Sequence, residues 1–150
     1  MTTSALTASA TAPEPGSERL ITVASGKGGV GKTWLAITLA HALARAGRRT
    51  LLFDGDIGLA NIDIQLGLMV ERDLGSVAAG RISLAQAISS FASGGFDVIA
   101  GKSGSGALGL LSTERLAELR HDLVALARDY DRVVLDLGAG IDGAVRTMAG

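Results

Sequence analysis

Cysteine is absent from the 150 residues, which excludes disulfides, thiol catalysis and cysteine-ligated metal or iron–sulfur centres within the chain. Histidine occurs only as His41 and His121, too sparse and too widely separated for a typical zinc site. Neither sign of charge dominates: 14 Lys+Arg against 15 Asp+Glu leave a net charge of −1, so there is no diffuse basic field for nucleic acid, and such binding would need a local patch. No stretch approaches the roughly 18 uninterrupted apolar residues of a membrane-spanning helix. Residues 1–18 lack the basic start and apolar run of a secretory signal, and hold too little apolar surface to offset the entropy of ordering. They are expected to form a solvated tail ahead of one domain over residues 19–150, in a cytoplasmic protein.

Glycine, by contrast, is abundant at 21 residues, about twice ordinary usage, and it gathers where loops are expected. Lysine is rare, and two of the three lysines, Lys27 and Lys32, lie within six residues of each other. From Leu20 onward, short β-rich runs alternate with helical periodicity. Leu20–Ala24 reads as a strand and about Thr33–Ala46 as a helix stopped by Gly47, with Leu35, Leu39 and Leu43 facing the sheet. Thr50–Phe53 reads as the second strand. Ser83 and Gln86 form a capping box expected to open a helix with Leu84, Ala87, Ile88 and Phe91 on one face. Phe96–Ala100 reads as a third strand, Ser112 as the cap of a helix bearing Leu116, Leu119, Leu123 and Leu126, and Arg132–Leu137 as a fourth strand. The order predicts an α/β fold, a doubly wound, mostly parallel sheet with helices on both faces.

The segment Gly26-Lys27-Gly28-Gly29-Val30-Gly31-Lys32-Thr33 satisfies G-x-x-x-x-G-K-[ST] between an expected strand and an expected helix. Its glycines let successive N–H groups turn inward onto phosphate oxygens, and the helix adds its positive end. Lys32 would bridge the terminal phosphates and Thr33 would offer a hydroxyl to Mg²⁺, which prefers oxygen ligands. A glycine-rich connector is the plainer reading, but it does not explain lysines concentrated in a chain that otherwise uses arginine. Gly101-Lys102-Ser103 repeats part of the motif, yet Phe96 stands where its leading glycine belongs, so it reads as a loop rather than a second phosphate site.

Asp54 and Asp56 follow the second strand, and Asp136 closes the apolar run Val133–Leu135. In a parallel sheet the carboxyl ends of all strands share one edge, so these acids and the glycine loop converge. Asp136 fits a Mg²⁺-holding role, Asp56 the orientation of an attacking water, and Asp54 a place behind it near the metal. The plainer alternatives are a turn at Asp54–Asp56 and a cap at Asp136.

With these residues in hand, the chain resembles the MinD/ParA family of ATPases, whose deviant phosphate loop K-G-G-x-G-K-[ST] appears as Lys27 to Thr33. The run from Asp54 and Asp56 through Asn61 and Asp63 to Gly67, with Asp136–Ile141, looks most like the flagellar-number regulators of FlhG/FleN type. The resemblance implies ATP and Mg²⁺ as cofactors and an ATP-dependent homodimer in which Lys27 reaches the partner's phosphates. It further implies Asp56 as the hydrolytic switch residue, a flagellar or division protein as partner, and DNA or a membrane as an accessory surface. Relatives run well beyond 150 residues, so the sequence is expected to be the first part of a longer domain, with a sheet edge left open beside the loop-bearing strand. Trp34, counted with Gly26–Thr33 among the cofactor-binding residues, departs from the small or polar residue usual after the loop's threonine, and its bulk is expected to pack on a neighbouring helix rather than crowd the α-phosphate. Cobyrinate-type amide synthetases and a non-hydrolysing nucleotide-binding module are the alternatives.

Overall fold

The computed structural model describes residues 15–56, 60–101 and 111–139. The described elements are β1 (Leu20–Ser25), α1 (Lys32–Arg45), β2 (Thr50–Gly55), α2 (Ile62–Leu66), α3 (Leu74–Ala78), β3 (Ile88–Phe91), β4 (Phe96–Ile99), α4 (Thr113–Ala127) and β5 (Arg132–Ala139). They build a five-stranded sheet of order β1-β5-β2-β4-β3. All pairings are parallel except β3 with β4.

The chain moves one way across the sheet from β1 through α1 to β2, and back from β4 through α4 to β5. Right-handed crossovers in opposite directions place their helices on opposite faces, and the core divides accordingly. On one face Ala36 and Ala40 of α1 meet Leu52, Val98 and Val134; on the other Leu116, Leu119 and Leu123 of α4 meet Leu51, Phe53, Val133 and Leu135. The period-2 alternation of the strands thus feeds both cores, as a sheet covered on both sides requires.

Three local expectations are corrected. In α1 the sheet-facing residues are Ala36 and Ala40, while Leu39 and Leu43 are half-buried and Leu35 is 52% exposed. The alanines let the helix lie close to the sheet, which rotates the leucine stripe to its flank. Trp34 is 67% exposed and does not pack on a neighbouring helix among the described residues. The capping box at Ser83 and Gln86 forms, with the Ser83 N–H donating to Gln86 Oε1 at 2.9 Å, but opens only one tight turn before β3. Ile88-Ser89-Ser90-Phe91 are weak helix formers, and the turn at Gly94–Gly95 folds them back as an antiparallel edge strand on β4.

Of the expected tail, residues 1–14 lie outside the described residues. Gly16 is buried against α4, and the Arg19 guanidinium donates to the carbonyls of Arg128 and Tyr130 at 3.1 and 2.5 Å, tying this end of the chain to the end of α4. No described helix is long and apolar enough to cross a membrane. Among the described residues β1 pairs with β5 alone.

Leu52 is fully buried between strand and helix, so Leu52→Ala is expected to lower the unfolding free energy by about 2–5 kcal/mol. Trp34→Ser, at an exposed site, is expected to change it by less than about 0.5 kcal/mol. Urea denaturation of both variants checks the contrast, and a large loss for Trp34→Ser would contradict the exposed indole.

Candidate phosphate and metal site

The loop from Gly26 to Gly31 leaves the carboxyl end of β1 and enters α1. Gly29 and Gly31 adopt φ of 73° and 86°, a left-handed conformation that side chains disfavour. Carbon atoms added at Gly26, Gly29 or Gly31 would meet nothing within 4 Å, so these glycines border open space. The Ser25 hydroxyl donates to the Lys27 carbonyl at 2.6 Å and braces the loop where it leaves the strand. Sequence reasoning missed this brace, although a serine before a glycine turn is a recurrent turn-forming signal. The first bond of α1 runs from the Leu35 N–H to the Gly31 carbonyl. The N–H groups of Lys32, Thr33 and Trp34 lie ahead of it, and these are donors that a helix start leaves for a ligand.

Strand register assembles the acidic side. Asp136 pairs with Val23 of β1 and with Asp54 of β2, so β5 carries its carboxylate between the loop-bearing strand and the second acidic strand. Asp54 and Asp136 have the same parity as Leu52 and Val134 and therefore point to the α1 face, where Lys32 begins the helix. The Lys32 ammonium donates to Asp136 Oδ1 at 2.7 Å and lies 3.5 Å from Asp56 Oδ2. Asp136 is fully buried, and its Oδ2 has no hydrogen-bond partner. Buried carboxylate oxygens are rarely left so, and a hard cation would complete this one. Among the described residues no group of three or more His, Cys, Asp and Glu could cage a metal.

Asp54 is placed differently from its neighbours. Its Oδ2 accepts the Ile62 N–H at 3.1 Å and its Oδ1 accepts the Asp56 N–H at 3.4 Å, so both oxygens hold the backbone on either side of residues 57–59. Gly101 closes behind it, where a Cβ would lie 2.5 Å from that of Ala60. The rejected second loop, residues 102–110, lies outside the described residues, as does Gly140. Burial pushes the Asp54 carboxyl up to about 7, with the charges of Asp136 and Asp56 adding to the rise and the two N–H donors opposing it. Lys27 and Val30 are exposed, as is the rest of the loop from Gly26 to Gly31. The structure therefore joins Lys32, Asp56 and Asp136 directly, adds Asp54 through backbone, and leaves Lys27 and Trp34 exposed.

Comparison with known proteins agrees with this geometry. Residues 21–146 match the CobQ/CobB/MinD/ParA nucleotide binding domain. The chain is 39% identical over 127 residues to the antiactivator FleN of Pseudomonas aeruginosa, covering 85% of this chain and 45% of that protein. It is 33% identical over 126 residues to the flagellum site-determining protein YlxH of Helicobacter pylori, covering 84% and 42% respectively. The structure of the septum site-determining protein MinD from Pyrococcus horikoshii, complexed with Mg-ADP, superposes with a TM-score of 0.76 at 30% identity, over 87% of this chain and 53% of that one. The chain thus spans less than half the length of the two curated relatives.

The raised Asp54 pKa has a definite sign. Between the ordinary value of 3.8 and about 7 the folded protein binds the proton that the unfolded chain has released. The stability this gives is complete below about pH 4 and is lost as pH rises through 7. Asp54→Asn remains neutral throughout, so between pH 5 and 7 wild type should lose stability relative to it by up to about 1.4 kcal/mol per pH unit. Urea titrations across this range check it, and parallel curves for the two proteins would refute the shifted carboxyl.

Proposed function

The chain belongs to the CobQ/CobB/MinD/ParA nucleotide-binding family, and from that premise we propose that it is an ATP-hydrolysing regulatory switch that dimerises on ATP and controls the placement or number of a cellular structure such as the flagellum. The observation that carries this reading is the Lys32 ammonium held between Asp136 and Asp56 at the mouth of the Gly26–Thr33 loop. A nucleotide's phosphates entering the loop would meet the N–H groups of the loop and first helical turn, with Lys32 at their terminal end.

Thr33 and Asp136 would hold Mg²⁺, which when bound offsets the negative charge of the phosphate oxygens. Asp56 lies beside Lys32, placed to accept a hydrogen bond from an attacking water and orient it toward the terminal phosphate. Asp54 acts through the backbone, keeping Asp56 and the loop after it in register with β5. Lys27, exposed on the loop, would supply a cation to the nucleotide of a second copy, so that association and hydrolysis are coupled. The likeness to FleN and YlxH favours a flagellar regulatory role over the amide-synthetase alternative. A cytoplasmic location, peripheral at the inner membrane or cell pole, fits the same reading.

Lys32→Ala removes charge-assisted contacts worth about 1.5–3 kcal/mol each, so nucleotide affinity should fall at least about tenfold by calorimetry. Unchanged affinity would refute the phosphate assignment. Asp56→Ala should retain ATP and persist as a dimer by light scattering, and Lys27→Ala should bind as monomer yet lose dimer-dependent turnover. A protein monomeric in every nucleotide state would leave only a binding module.

A further inference from the structure

Just beyond the carboxyl end of β4, Gly101 faces the segment that enters α2 at very short range. A Cβ added at Gly101 would lie 2.5 Å from that of Ala60, 3.4 Å from the Asp54 carbonyl oxygen and 3.7 Å from Asp54 Cγ. Non-bonded carbons settle at about 3.5–4.0 Å, so residues 60 and 101 fit together only because one of them has no side chain. Gly101 is not among the glycines with positive φ, so the space calls for glycine and the backbone conformation does not. What holds each side decides which would yield to a larger residue. β4 is paired on both sides near this point, Ile99 with Phe53 of β2 and with Ile88 of β3, and the Ala100 carbonyl accepts the Leu74 N–H at 2.9 Å. Ala60 offers only a methyl fixed to its backbone, so relief there means moving the backbone itself. That backbone leads two residues on to the Ile62 N–H, which donates to Asp54 Oδ2 at 3.1 Å, while Asp54 Oδ1 accepts the Asp56 N–H at 3.4 Å.

We propose that Gly101 is a positioning residue for Asp56. Its missing side chain seats Ala60, Ala60 seats the Ile62 donor, and the Asp54 carboxyl held by that donor fixes the backbone from which Asp56 reaches toward Lys32. The proposal rests on the hydrolytic role given to Asp56 above and adds to it a residue beyond the end of another strand, outside the glycine loop. The identity of the neighbours separates this from ordinary core packing. The three atoms nearest the added carbon all belong to Ala60 and Asp54, and neither residue is part of the two hydrophobic clusters. At Gly55, by contrast, the nearest atom is the end of the Leu137 side chain, which belongs to a core and has rotamers to move through. A methyl at 101 therefore acts on the Asp54 clamp before it acts on the core.

The test is a double-mutant cycle. Gly101→Ala, Ala60→Gly and the double variant are compared with wild type in ATP turnover, in ADP·Mg²⁺ affinity by calorimetry and in hydrogen exchange of the Ile62 amide. Gly101→Ala is expected to lower kcat about 10- to 100-fold, the effect of a small misplacement at a reacting group, while ADP affinity stays within about twofold. Its Ile62 amide should exchange faster than in wild type. Removing the Ala60 methyl vacates the space the new one needs, so the double variant should return to within about twofold of the Ala60→Gly turnover. Wild-type turnover in Gly101→Ala, no recovery in the double variant, or ADP affinity falling in step with kcat would overturn the positioning role while the role of Asp56 stands. Should Gly101→Ala fail to fold, a folded double variant with restored turnover supports the proposal, whereas a folded but inactive one, or a double variant that also fails to fold, overturns it. Wild type that binds ADP yet hydrolyses no ATP would overturn the hydrolytic reading of Asp56 and this proposal with it.

Discussion

The organisation of the site depends on one buried charge, the Asp136 carboxylate on β5. It has no exposure to water and is compensated by the Lys32 ammonium at 2.7 Å. An unpaired carboxylate at such depth is costly to desolvate, and the Lys32 ammonium offsets that cost. Lys32 is the first residue of α1, and satisfying Asp136 therefore fixes where the helix begins and how the glycine loop must close. The same contact leaves Asp136 with a second oxygen unsatisfied, which keeps the pair receptive to another cation.

Surrounding residues enforce this arrangement by parity and approach. Alternate residues of β2 and β5 build the two cores, so the acids that continue the α1-facing series, Asp54 and Asp136, have no choice of side. Side by side in register they repel, and the strands tolerate this because Asp54 is given two backbone donors and is readily protonated. A Cβ at Gly55, between Asp54 and Asp56, would lie 2.7 Å from Leu137 Cδ2, so a side chain there would have to displace that methyl. The short approach holds the second strand tightly against β5 at the level where the acids meet the lysine.

Sequence legibility followed the strength of the local signal. The glycine loop, the capped helix α4 and the strand positions were readable because each combines a periodic run with specific terminators. The convergence of Lys32, Asp56 and Asp136 was also readable, since parallel strands share one edge. The helix expected after Ser83 failed because its capping box is real but its continuation is not: Ile88 and Phe91 serve equally as one face of a helix or one edge of a strand, and pairing with β4 decides. The leucine stripe of α1 misled for a related reason, because periodicity gives the width of an apolar face but not which small residues permit the closest approach. The Asp54 clamp lay beyond sequence reasoning altogether, since it depends on the backbone donor of Ile62, eight residues along the chain, being folded back onto the carboxylate.

The position of β1 makes the Lys32–Asp136 contact matter further. The β1–β5 register slips between Val23 and Ser25, directly before the loop. A glycine loop hung from such a strand would be free to open if nothing held its far end. Lys32 supplies that hold, because its partner Asp136 is on the same strand that pairs with β1. Both ends of the loop are thereby fastened to β5, one through backbone pairing and the other through an ion pair. Ligand phosphates that draw on the Lys32 charge must share it with Asp136, so occupancy of the loop is coupled to the strand that organises the whole sheet edge. Asp56, held at 3.5 Å from the same ammonium, is coupled to the same event. Under the proposed function, a change at the phosphates would reach Asp56 through this single side chain, which is the physical requirement for a nucleotide-operated switch.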